Sequence, residues 1–82
     1  MAFKSLSDKH KEKYVKIGLN IAYYRKERGM SQIDLAEKAA ISRSFMSAIE
    51  APKMTVGVSF ETLFDIAEAL EIDTYKLLVF RE

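Results

Sequence analysis

Ser31-Gln-Ile-Asp-Leu-Ala-Glu-Lys-Ala-Ala-Ile-Ser-Arg-Ser-Phe-Met-Ser-Ala-Ile-Glu50 is the stretch on which the fold turns. It opens on Ser31 with Asp34 three positions on, a Ser-x-x-Asp form of the capping box, in which each residue serves the other's backbone N–H. Leu35, Ala36 and Ala39 then share one face, so the spacing predicts a helix over 31–39 whose small inner residues let a neighbour approach closely. Ser42 is a second natural N-cap. It predicts another helix from Ser42 to about Ala51, with Met46 and Ile49 three apart and facing inward. Pro52 ends that element, because the residue before proline is pushed out of helical geometry. Two capped helices joined by a connector of about three residues make a helix-turn-helix span over 31–51.

Outward from this span the chain remains helical. Tyr14, Ile17, Ile21 and Tyr24 are spaced three, four and three apart and predict a helix from about Lys9 to Arg28, capped by Ser7 or Asp8. Gly29 follows where a left-handed cap belongs, and Gly18 in mid-helix implies close packing against another helix. A fourth helix is expected from Ser59 to about Glu71, with Phe60, Leu63, Phe64, Ala67 and Leu70 as a wide apolar stripe. A fifth, short helix is expected from Asp73 to about Phe80. Its Tyr75, Leu77, Leu78 and Phe80 exceed what one face of so short a helix can bury, which points to a partner surface. The whole chain, 1–82, thus reads as one all-α, five-helix domain with a flexible tail over 1–8.

The ordered segments Arg25-Lys-Glu-Arg-Gly29, Ser31-Gln32 with Leu35-Ala36, Ile41-Ser-Arg-Ser44, Ile49-Glu50, and Leu63 with Ile66-Ala67-Glu-Ala-Leu70 resemble the lambda-repressor and Cro-like helix-turn-helix regulators, the XRE family. The resemblance spans about Ile17 to Leu78. It implies a compact domain that sets its third helix in the DNA major groove. By position it assigns Gln32 and Ser42 to backbone phosphates, Arg43, Ser44 and Ala48 to base edges, and Arg25 with Glu50 to a structural ion pair. The residue chemistry points the same way. A helix N-terminus offers free N–H groups and partial positive charge to a phosphate. With Met46 and Ile49 turned inward, Arg43, Ser44, Ser47 and Ala48 are left outside: short side chains and one Arg able to take guanine bidentately. Two positions depart from the family's habit. Ala40 stands where the turn commonly has Gly, and Ala51-Pro52-Lys53 replaces a small polar residue and Gly, leaving Lys53 to reach phosphate by its side chain alone.

The implied function is a transcriptional regulator, a repressor above an activator, reading a palindromic operator in double-stranded DNA as a homodimer, with Phe60, Tyr75, Leu77 and Phe80 at the dimer surface. The alternative is an antitoxin or a restriction-modification controller whose C-terminal surface binds a partner protein from the same operon. Neither reading needs a cofactor. With no Cys and one His, a thiolate metal site and a Cys nucleophile are excluded, and no nucleophile–base set or glycine-rich phosphate loop marks an enzyme. No apolar run approaches the length of a membrane span and no signal peptide is visible, so a cytoplasmic location is expected.

Several residues keep bland readings. His10 is a surface residue. Tyr14, Tyr23, Tyr24 and Tyr75 belong to core or interface. Asp65, Glu68, Glu71 and Asp73 form a wet face. The Lys9, Lys11, Lys13, Lys16 cluster is a solvated face or a phosphate track, and Phe45 sits at the core edge or at the groove wall. The net charge of +1 hides a division. Residues 1–53 hold eleven Lys plus Arg against six Asp plus Glu, a balance of +5. Residues 54–82 hold two against six, a balance of −4. The half containing the helix-turn-helix is the basic one, and it is the patch rather than the total that a polyanion meets.

Overall fold

The computed structural model describes residues 8–51 and 56–80. Ser7 and the rest of the 1–7 segment, Pro52, Lys53 and Met54 lie outside the described residues. So do the side chains of Asp8 and Lys9. Four α-helices follow in order: α1 (Asp8–Glu27), α2 (Gln32–Ala39), α3 (Arg43–Glu50) and α4 (Phe60–Leu70). The fifth expected helix is instead a 3-10 helix, Thr74–Leu78. Asp73 stands before it with no side-chain capping bond, and five residues are too few to establish an α-helical ladder against the cost of nucleating one.

Local chemistry sets the boundaries. Ser31 Oγ accepts from Asp34 N and the Asp34 carboxylate accepts from Ser31 N, both at 3.0 Å, completing the capping box. Ser42 and Ser59 cap α3 and α4 through Phe45 N and Thr62 N. Three helices end on a left-handed residue followed by a 6→1 backbone bond: Gly29 (φ 71°), Ala40 (φ 59°) and Glu71 (φ 58°), with Met30, Ile41 and Ile72 N–H reaching the Arg25, Ala36 and Ala67 carbonyls at 3.0 Å. At Ala40 the left-handed turn costs an L-residue about 1–2 kcal/mol, which those bonds offset.

One core joins every element. Ile17 and Ile21 from α1, Leu35, Ala36 and Ala39 from α2, Met46 and Ile49 from α3, and Leu63, Ile66, Ala67 and Leu70 from α4 are buried, and Leu77 closes the cluster. Helix α2 packs on both α3 and α4, while α1 runs across α3 and the 3-10 helix. At the α1–α3 crossing stands Gly18, where a Cβ would lie 2.2 Å from the Ile49 carbonyl oxygen. The two backbones touch there, so glycine is required by space rather than by φ.

Two further expectations fail in the C-terminal half. Phe60 and Phe64 are not part of the buried stripe: they are 69% and 53% exposed and stack on each other at 6.2 Å, while Ile66 takes the inner position. Leu77, expected at a partner surface, is fully buried. The reason is Asn20, itself buried on α1, whose Nδ2 donates to the Leu77 and Val79 carbonyls at 3.0 Å each. That clamp draws the 3-10 helix onto α1 and turns Leu77 into the core.

Candidate nucleic-acid interface

Helix α3 is held from beneath and bare above. Met46, Ile49 and Glu50 are buried; Ser42, Arg43, Ser44 and Ser47 are exposed, and Ala48 is half-buried. The start of α2 lies beside this outer face. Ser31, Gln32 and Ile33 line one shallow groove together with Arg43, Ser44, Ser47 and the edge of Arg25. Of the first-turn N–H groups of α2 and α3, those of Asp34 and Phe45 are capped. The N–H groups of Gln32, Ile33, Arg43 and Ser44 have no intrahelical acceptor, as at any helix start. Two helix N-termini and a guanidinium therefore converge on one concavity, an arrangement suited to anionic oxygens.

Behind the groove, the Arg25 guanidinium grips Glu50 in bidentate fashion, Nε to Oε2 at 2.8 Å and Nη2 to Oε1 at 3.0 Å, with side chains only 10% and 4% exposed. Arg25 Nη1 also donates to the Met30 carbonyl at 2.8 Å. Gln32, assigned to phosphate by the resemblance, has a second attachment that sequence reasoning missed: its Nε2 donates to Glu50 Oε1 at 3.0 Å. Asp34 is held below the usual carboxylate range, first by the backbone N–H of Ser31 and then by the Ser31 side chain, with a smaller contribution from Lys38. It stays ionised and keeps a negative charge at the start of α2.

The remaining assignments divide. Phe45 packs against the core edge. Lys16 of the lysine cluster is turned elsewhere, 3.8 Å from Glu12 and 5.8 Å from the centre of the Phe80 ring. Arg28 donates to the Leu70 and Glu71 carbonyls, capping the C-terminal end of α4, which is a structural use no motif announced. Of the proposed partner surface, Phe60 and Tyr75 are exposed and Phe80 is half-buried against the core. No helix among the described residues is long and apolar enough to cross a membrane, and among them no cluster of His, Cys, Asp or Glu could hold a metal ion.

A capped helix pair with its second member bare on one side, braced by a third helix, defines a helix-turn-helix domain. The chain belongs to that family: residues 18–79 match the helix-turn-helix domain, within the lambda-repressor and Cro-like group. It is 39% identical over 62 residues to the transcriptional regulator SinR of Bacillus subtilis, covering 76% of this chain and 55% of SinR. It is 43% identical over 56 residues to the immunity repressor of Bacillus phage phi105, covering 68% of this chain and 38% of the repressor. A crystal structure of SinR in complex with DNA superposes with a TM-score of 0.71 at 36% identity, covering 77% of this chain and 98% of that one. The restriction-modification controller protein C.AhdI of Aeromonas hydrophila superposes with a TM-score of 0.72 at 30% identity, covering 78% and 94%. The chain thus spans about half the length of SinR and less of the phage repressor.

Proposed function

We propose that the protein is a sequence-specific DNA-binding regulator of transcription, acting as a homodimeric repressor on a palindromic operator, with α3 in the major groove. The observation that carries this reading is the outer face of α3: Arg43, Ser44, Ser47 and Ala48, short side chains and one guanidinium, set beside the start of α2 on the basic half of the chain. Its work is recognition rather than catalysis, in the compartment that holds the DNA. Gln32 and Ser42 position the domain on phosphates, and Arg43, Ser44, Ser47 and Ala48 meet base edges. Lys53 adds a phosphate contact. The relative solved with DNA supports this reading. Two copies joined through the exposed Phe60, Tyr75 and the edge of Phe80 would set two recognition helices about 34 Å apart, one turn of duplex. A gel-shift against promoter fragments tests it: a discrete complex that survives competitor DNA is expected, and binding without sequence preference even at low salt would overturn it.

A second reading has its own observation. Phe60, Phe64, Tyr75 and Leu78 remain 40–69% exposed, and Phe60 and Leu78 line one apolar groove with Tyr14, Leu63 and Phe80. That face suits a partner protein, as in an antitoxin or a restriction-modification controller. Co-purification with a neighbouring gene product, in place of a symmetric dimer, would favour it.

A further inference from the structure

Glu50 does more than hold Arg25. Its Oε1 accepts two hydrogen bonds, one from Arg25 Nη2 and one from Gln32 Nε2, each at 3.0 Å. Arg25 is in turn tied to the Met30 carbonyl, so the carboxylate cannot follow Gln32 if that side chain moves. A carboxylate only accepts, so it decides which end of the Gln32 amide faces inward. One N–H is committed to Glu50, and the other N–H stays available at the rim of the groove that Gln32 lines with Arg43, Ser44 and Ser47. A free glutamine at a helix start would sample many rotamers and both amide orientations, and would lose that freedom on gripping a phosphate.

We propose that Glu50, locked by Arg25, is a positioning residue for DNA: it presets the Gln32 amide so that its second N–H donates to a backbone phosphate. This rests on the DNA-binding reading above. Pre-ordering one such side chain is worth roughly a 3- to 10-fold gain in affinity. Because the amide is neutral and a phosphate is present at every base step, the effect is independent of sequence. It leaves the salt dependence of binding unchanged, unlike the loss of a cation, which lowers the log–log slope by about 0.9.

The test is a double-mutant cycle of Glu50→Gln and Gln32→Ala, titrating a labelled mixed-sequence duplex three helical turns long at low salt. Every protein is held well below its melting temperature, with its fold checked by circular dichroism. Glu50→Gln leaves the Arg25 charge uncompensated beside the groove in either background, so the readout is the difference: its effect on binding is expected to be 3- to 10-fold less favourable with Gln32 present than with Ala in its place. Equal losses in the two backgrounds would overturn the proposal, because a merely structural Glu50 acts whether or not Gln32 is there. So would Gln32→Ala binding as tightly as wild type. Wild-type protein that fails to bind the duplex at all would instead refute the DNA-binding reading. Should Glu50→Gln not fold, the side-chain amide of Gln32 decides by nuclear magnetic resonance in the free wild-type protein. Order close to that of the backbone is expected, and a freely rotating amide would overturn the proposal.

Discussion

Replacing Gly18 with alanine tests the helix crossing that sets α3 in place. A Cβ at this position would lie 2.2 Å from the Ile49 carbonyl oxygen, 3.2 Å from the Ile49 carbonyl carbon and 3.4 Å from the Glu50 Cα. Ordinary carbon–oxygen contact begins near 3.3 Å, so α1 and α3 must part by about 1 Å. The obstacle is backbone, which cannot rotate aside, so the cost falls at the upper end of the usual overpacking range, about 3 kcal/mol. Alanine's better helix propensity returns up to about 1 kcal/mol. The net loss is about 2 kcal/mol, which for a domain of this size lowers the melting temperature by roughly 8–16 °C. The separation also strains the Arg25–Glu50 pair, which bridges the same two helices a few residues on. A thermal melt followed by circular dichroism at 222 nm (the standard helix signal) is the assay. An unchanged or raised melting temperature would mean that propensity wins, and would refute close backbone contact as the reason for glycine here.

Further outcomes follow from the same geometry. Glu50→Ala leaves the Arg25 guanidinium buried without its partner and should cost about 3–5 kcal/mol in urea unfolding; a loss under 1 kcal/mol would show the pair to be dispensable. Ala40→Gly relieves a left-handed L-residue at φ 59° and should stabilise by about 0.5–1 kcal/mol, read as a raised urea midpoint; destabilisation would contradict the strained turn. Asp34, held below the carboxylate range in the folded state, contributes stability that is complete above its ordinary value of 3.8 and lost as pH falls through the lowered folded one. Asp34→Asn should therefore destabilise at neutral pH, with the difference from wild type closing in strong acid; a pH-independent difference would count against the capping carboxylate. Arg43→Ala should weaken operator binding by about 1–3 kcal/mol and relax specificity at one base pair, and a uniform loss across all sequences would recast Arg43 as a phosphate contact.

How much of this was readable in the chain depends on whether the signal was local. Ser31, Asp34, Ser42 and Gly29 act within a few residues of themselves, so their caps and turns could be located from spacing alone. The inward faces of α2 and α3 followed from period, and the outer face of α3 followed by subtraction. What failed depended on contacts far apart in sequence. Asn20 bonds to carbonyls 57 and 59 positions away, and only that clamp explains why Leu77 is core. Tyr75, Leu77, Leu78 and Phe80 were counted as excess surface because a five-residue element does not distinguish a 3-10 from an α period. Arg28 reads in the sequence as one cation of the basic half, although it caps α4 through carbonyls more than forty positions away. On α4, Phe60 and Phe64 fit the apolar stripe on period, yet α2 covers only the Leu63, Ile66, Ala67 and Leu70 side. The Gln32 bond to Glu50 crosses between two helices and left no mark in either.

On the proposed reading few cations are left for DNA, since Arg25 and Arg28 are engaged internally and residues 54–82 carry a balance of −4, so binding should be modest on arbitrary sequence and should fall steeply with salt. Specific binding must then come from the face of α3 and from the presence of two copies. The most direct measurement is a footprint on DNA flanking the protein's own gene, with wild type beside Arg43→Ala. A two-fold-symmetric protected site, its half-sites centred one helical turn apart, is expected, and it weakens for Arg43→Ala. Wild-type protein that protects no discrete site at low salt, at concentrations that coat the duplex, would contradict the proposed function.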